Sequence, residues 1–237
     1  NLFFGPAMNA ARGVAVQVFS ALQGFVTNFM TAVNPQITKS YAAGDYSYLF
    51  ALVRKSSRMS FYLLFVIALP VLFNTEYLLG IWLKDVPQGT VTFVQLFLIF
   101  ALSESLSNPM ITAMLATGHI RNYQIIVGGL QLLNVPVSYI LLKGGASPQI
   151  TVIVAVVISQ ICFFVRLYLL NREMAYPAWE HIRRVYLNVA LVAAAALALP
   201  LALVRLMPGG FWGFCLSVLL CVGCAGLSVL FVGCGKT

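Results

Sequence analysis

One carboxylate is placed where chemistry would be expected. Glu104 lies in "SESLSNP", residues 103–109, with Ser103, Ser105, Ser107 and Asn108 around it and Pro109 behind it. The flanking runs 86–103 and 105–118 carry no charge. A carboxylate at the centre of a bilayer costs about 2.5–3.5 kcal/mol on insertion scales, so it faces a cavity or a partner. Two uses fit that setting. Glu104 is a candidate proton carrier, with Asn108 one helical turn on and on the same face. Alternatively it pins one helix to another through a salt bridge or hydrogen bond.

The other polar candidates are weaker. Arg12 could partner Glu104, but it sits roughly 140° around its helix from Gln17, and snorkelling to headgroups is an equal use for it. His119 and His181 have no acid spaced to form a dyad or metal site. Cys221-Val-Gly-Cys224 has zinc-like spacing but lacks a second pair, and the five cysteines fall within or at the end of apolar runs, as buried thiols do. The terminal "GCGKT" imitates a phosphate loop, yet that motif needs glycine where Leu230 stands. No motif supports an enzyme or a cofactor.

The elements that hold Glu104 follow from composition. Hydrophobic residues make up 61% of the 237 and charged ones 8%, against roughly 25% charged in a soluble domain. A helix needs about 20 apolar residues to cross a bilayer. Reading the uncharged runs as spans, with Glu104 interrupting one helix, gives seven: about 8–34, 55–74, 89–116, 121–142, 148–171, 186–205 and 210–233. Barrel strands would alternate apolar and polar residues over about ten positions, and these runs do not. The expected fold is all-α and integral to a membrane.

Within the first span, Asn9, Gly13, Gln17, Ala21, Gly24 and Asn28 share one stripe, and Phe19, Leu22, Val26, Met30 and Val33 the opposite one. Gln17 and Asn28 are candidate cavity-lining residues. The glycines suit either a cavity or close helix packing. Asn34-Pro35 is expected to end that helix. "NTEYLLGIWLKD" (74–85) predicts a short interfacial helix capped by Asn74 or Thr75, with Tyr77 and Trp82 at headgroup level. A kink is expected at Asn134-Val-Pro136. Three parts result: a five-helix core over 1–172, a basic interfacial linker over 173–185, and two plainer helices over 186–237.

The net charge of +8 is distributed as a topology signal and not as a nucleic-acid patch. With the N-terminal end outside, the inner connections hold Lys39, Arg54, Lys55, Arg58, Arg121, Arg166, Arg172, Arg183, Arg184 and Lys236. The outer ones hold Arg12, Lys84, Lys143 and Arg205. The excess lies inside, as cytoplasmic loops require.

The opening stretch, "NLFFGPAMNAARGVAVQVFSALQGFVTNFMTAVNPQITKSYAAGDYSYLFALVRKSSR", resembles the start of the C-terminal half of bacterial lipopolysaccharide and polysaccharide flippases. These belong to the multidrug, oligosaccharidyl-lipid and polysaccharide exporter superfamily. "EYLLGIWLKDVP" (76–87) and "ATGHIRNYQ" (116–124) look like later landmarks of the same family. The similarity covers about residues 1–170, and the last two helices match the extra pair that some members carry. The resemblance implies two lobes facing each other across a cavity in the bacterial inner membrane. It implies transport of undecaprenyl-pyrophosphate-linked sugar to the periplasmic leaflet by alternating access. The first long helix would run from the periplasm into the cytoplasm and project beyond the bilayer. Lys39 would then meet either a pyrophosphate or anionic lipid. The first residue is Asn, and an N-terminal lobe is expected upstream. A cation-coupled drug or metabolite exporter and a non-transporting membrane scaffold are the alternatives.

Overall fold

The computed structural model describes residues 5–203 and 210–233. Its elements are α1 (Pro6–Ala42), α2 (Tyr46–Phe73), α3 (Thr75–Trp82), α4 (Thr90–Ser105), α5 (Asn108–Ala116), α6 (Ile120–Leu132), α7 (Asn134–Lys143), α8 (Ile150–Met174), α9 (Ala178–His181), α10 (Leu187–Leu203) and α11 (Phe211–Ser228). Wide π-helical turns at Ile182–Tyr186 and Val229–Gly233 continue α9 into α10 and extend α11. No strand occurs among the described residues. Joined across their breaks, these elements make seven helices long and apolar enough to cross a membrane. The all-α, multi-pass architecture expected from composition is what the chain adopts.

The helices outrun their apolar runs. α1 extends unbroken for 37 residues, about 55 Å at 1.5 Å per residue, against roughly 30 Å of hydrocarbon. Asn34-Pro35 therefore does not end it. Proline forfeits one backbone bond, and neighbouring helices make that tolerable in a membrane bundle. Here the Asn34 carboxamide accepts a bond from the Thr112 hydroxyl of α5 at 2.8 Å, and the Thr38 hydroxyl returns to the Asn34 carbonyl at 3.1 Å. The helix ends at Ala43-Gly44, where Gly44 takes φ +70, a conformation that glycine alone adopts freely. Asp45 then caps α2 by accepting from the Tyr48 N–H at 3.0 Å.

Two other expectations need the same correction. Arg54, Lys55 and Arg58 lie inside α2, not ahead of it. The linker shrinks to 175–177, because α8 runs to Met174 and α9 begins at Ala178. Ala175 makes the turn at φ +54. Asn74 holds the N-cap position of α3, as expected, though its side chain makes no cap bond. Its amide donates to the Pro70 carbonyl and to Ser217 Oγ, both at 2.9 Å, and so ties α2 to α11. The kink near Pro136 is present: α6 stops at Leu132 and α7 starts at Asn134, with Ser138 Oγ donating to Asn134 Oδ1 at 2.8 Å.

α2 is the central helix. Of its most apolar window 56% is buried, against 11% for the α6–α7 span. α1, α4 and α11 all pack against it. α11 comes close because Gly233, just beyond its end, has no side chain: a Cβ there would lie 2.9 Å from the Tyr62 ring. Tyr62 Oη donates to Asn188 Oδ1, and the Asn188 amide donates to the Val232 carbonyl at 3.2 Å. The last two helices are thus fastened to the core by polar side chains as well as by Ala, Leu and Val.

Candidate functional site

Glu104 owes its position to a break in the third span. Pro109 has no N–H to give the Ser105 carbonyl, and Ser105 Oγ turns back to the Leu102 carbonyl at 2.7 Å. The helix stops at Ser105, Ser107 N–H bonds the Glu104 carbonyl at 2.9 Å, and α5 starts at Asn108. Glu104 therefore sits in the last turn of α4, at a discontinuity near the middle of the third span.

α8 supplies what faces it. Ser159, Cys162, Phe163 and Arg166 follow i, i+3, i+4, i+7 spacing and are all buried. Ser159 Oγ donates to Glu104 Oε1 at 2.6 Å. Arg166 Nη1 lies 4.0 Å from the same oxygen. The guanidinium also donates to Ser107 Oγ at 3.0 Å and to the Tyr123 hydroxyl at 3.3 Å. Three helices meet in this cluster, α4, α6 and α8, with the α4–α5 turn contributing Ser107. The partner of Glu104 is Arg166, not Arg12, which is exposed on α1. Arg166 was expected at the inner surface, yet it is only 3% exposed. Apolar hydrocarbon would not hold a bare guanidinium, and the carboxylate and two hydroxyls make its burial tolerable.

Beside the pair is a cavity of about 290 Å³ lined by Phe100, Glu104, Gln131, Asn134, Ala155, Ile158 and Ser159. Gln131 and Asn134 flank the α6–α7 break, so both interrupted spans border one polar space. Glu104 is 18% exposed, the wetter member of its pair. The space suits water, a proton path or a small cation and is too small for a glycolipid.

The remaining sequence candidates lie elsewhere. Asn108 is half-buried in the first turn of α5 and does not line the cavity. Gln17 and Asn28 are exposed on α1, as are Asn9, Gly13 and Ala21. The opposite residues Leu22, Val26, Met30 and Val33 are buried, while Phe19 stacks on Phe100 with ring centroids 5.6 Å apart. A Cβ added at Gly13 or Gly24 would meet nothing within 4 Å. These glycines do not serve a close helix approach within this chain. The polar stripe of α1 is an open face. Lys39 is exposed in the last turn of α1, where its charge complements the helix dipole.

Both histidines have partners that are distant from any apolar run's centre. His119 Nδ1 is 3.4 Å from the Glu173 carboxylate, an acid far away in sequence. His181 is fully buried and shares a 2.6 Å hydrogen bond with Tyr176, whose phenol is pushed well above its ordinary range by burial. Cys162, Cys215, Cys221 and Cys224 are free thiols. Cys234 and Lys236 lie outside the described residues.

Comparison with protein-family models, with curated proteins and with solved structures gives no match. The functional reading rests on this chain's own residues and on the resemblance carried by its first sixty.

Proposed function

We propose that this chain is one lobe of a two-lobe membrane transporter, of the kind that flips undecaprenyl-pyrophosphate-linked sugars across the bacterial inner membrane for polysaccharide or lipopolysaccharide synthesis. The observation that carries transport is the Glu104–Arg166 pair at a polar cavity bordered by two interrupted spans. Secondary transporters build ion and substrate sites from such broken helices, and an intramembrane ionisable pair is a functional site by default. The open polar stripe of α1, with Gln17 and Asn28, is the surface that a second lobe would face across the substrate path. Glu104 then serves coupling, and the larger lipid-linked sugar passes along the α1 face. The sugar-lipid substrate is supported by the resemblance alone. A cation-coupled exporter of drugs or metabolites shares every structural feature, and a scaffold would need no wet carboxylate.

The orientation that goes with this reading puts Gly5 on the periplasmic side and the ends rich in arginine in the cytoplasm. The decisive experiment is Glu104→Gln in the full-length protein in flippase-deficient cells. Glycan export should fall by at least tenfold at unchanged abundance. Full export by both Glu104→Gln and Glu104→Ala at normal abundance would refute the coupling role. Drug efflux without glycan export would move the reading to the exporter.

A further inference from the structure

A second charged site lies away from Glu104, beside the middle of α2, where α9 passes into α10. A cleft of about 680 Å³ is lined by Arg58, Trp179, Glu180, Arg183, Arg184, Leu187 and others one turn further along α10. Three guanidiniums and one carboxylate face it. That carboxylate is already shared: Arg54 Nη1 is 3.3 Å from Glu180 Oε2, and Arg184 Nε is 3.1 Å from Oε1. Arg58 and Arg183 have no carboxylate partner among the described residues. The cleft therefore holds surplus positive charge in a form suited to bidentate recognition of a phosphate.

The wall of the cleft changes character along one helix face. Glu180, Arg184, Leu187 and Leu191 follow i, i+4, i+7, i+11 spacing, through the π-helical turn into α10. Leu187 and Leu191 are 49% and 62% exposed. A water-soluble anion has no use for that apolar continuation, whereas an acyl chain below a phosphate does. Trp179, 74% exposed at the rim, is the residue type that settles at headgroup depth. We propose that this cleft binds the headgroup phosphate of an anionic phospholipid, with the acyl chains lying along Leu187 and Leu191. The ligand bridges α2 to the α9–α10 helix and so fastens the last two spans to the core at the membrane surface. Basic pockets between membrane helices take lipid headgroups in this way. The site is separate from Glu104 and does not depend on the transport reading.

The test uses the purified chain in uncharged detergent micelles, carrying Trp82→Phe and Trp212→Phe so that Trp179 is the sole indole. Brominated phosphatidylglycerol should quench its emission saturably. Brominated phosphatidylcholine should need at least tenfold more lipid for the same effect. Arg58→Gln with Arg183→Gln should weaken the phosphatidylglycerol response at least tenfold, while Arg172→Gln, a surface base elsewhere on the same side, leaves it unchanged. Helical circular dichroism and gel-filtration elution report whether each variant stays folded. If the double variant unfolds, Arg58→Lys should bind more weakly than the parent chain, because it keeps charge but loses the bidentate fork. Equal quenching by the two lipids, or an equal loss in Arg172→Gln, would overturn the site. Displacement of phosphatidylglycerol by equimolar glycerol phosphate or inorganic phosphate would overturn the lipid as its occupant.

Discussion

Arg166→Met is the sharpest probe of the buried pair. At 4.0 Å two unit charges attract by about 4 kcal/mol at an effective dielectric constant near 20. Desolvation offsets much of that. Removing one member of a buried pair costs about 3–5 kcal/mol, because the other is left uncompensated. Glu104 is partly wetted by its cavity, so the lower end applies: about 3 kcal/mol. Glu104→Gln should cost less, about 1–2 kcal/mol, since Ser159 can still donate to the amide oxygen and Arg166 keeps Ser107 and Tyr123. The double variant should then cost about 2 kcal/mol less than the sum of the two, the signature of direct coupling. The measurement is reversible unfolding of the chain in mixed micelles with increasing dodecyl sulfate, followed by helical circular dichroism. Additivity within about 0.5 kcal/mol would show that the charges do not interact and that the cluster is held by the hydroxyls alone.

Orientation is tested in a cysteine-free full-length protein. Single cysteines at Asp45 or Tyr48 should be shielded from an impermeant thiol reagent in intact cells, and one at Ala146 labelled; the reverse pattern would invert the topology. Packing of α11 gives a further test. Gly233→Ala places a methyl 2.9 Å from a ring held by Asn188 and should cost about 1–3 kcal/mol. Gly223→Ala points into open space and should be neutral or stabilising, as Gly to Ala is inside a helix. Equal thermal stability of the two variants would show that α11 does not approach α2 this closely.

Span number and order were legible because hydrocarbon admits only long apolar segments with satisfied backbones. Span ends were not, and the reason is common to all of them. Absence of charge marks where a helix is in lipid, not where it stops. Arg54, Lys55, Arg58, Arg172, Arg183 and Arg184 all sit on helices that continue past the apolar run. Only the break at Pro136 was legible; the third span, read as one helix, is interrupted before Pro109. Pro136 and Pro109 each coincide with an interruption, while Pro35 does not, because Asn34 and Thr112 lock that turn from the side.

Glu104 could be found from sequence because a lone carboxylate in an apolar run has few explanations. Its partner was hidden by a rule that works elsewhere. Arg166 lies eight residues from the end of α8 at Met174, near enough to be counted among surface bases, and periodicity was the signal that separates it from them. Ser159, seven residues earlier on the same buried face, has no reason to be there in a helix packed only by apolar contacts. A polar residue in register with an arginine marks a helix face turned toward something charged. The asymmetry of burial then distinguishes their tasks. Arg166, almost fully enclosed and held at two hydroxyls, is fixed in place. Glu104, held by Ser159 and open to the cavity, is the member that can meet water. Under the proposed transport reading, coupling would therefore fall to the carboxylate, with the arginine setting its position.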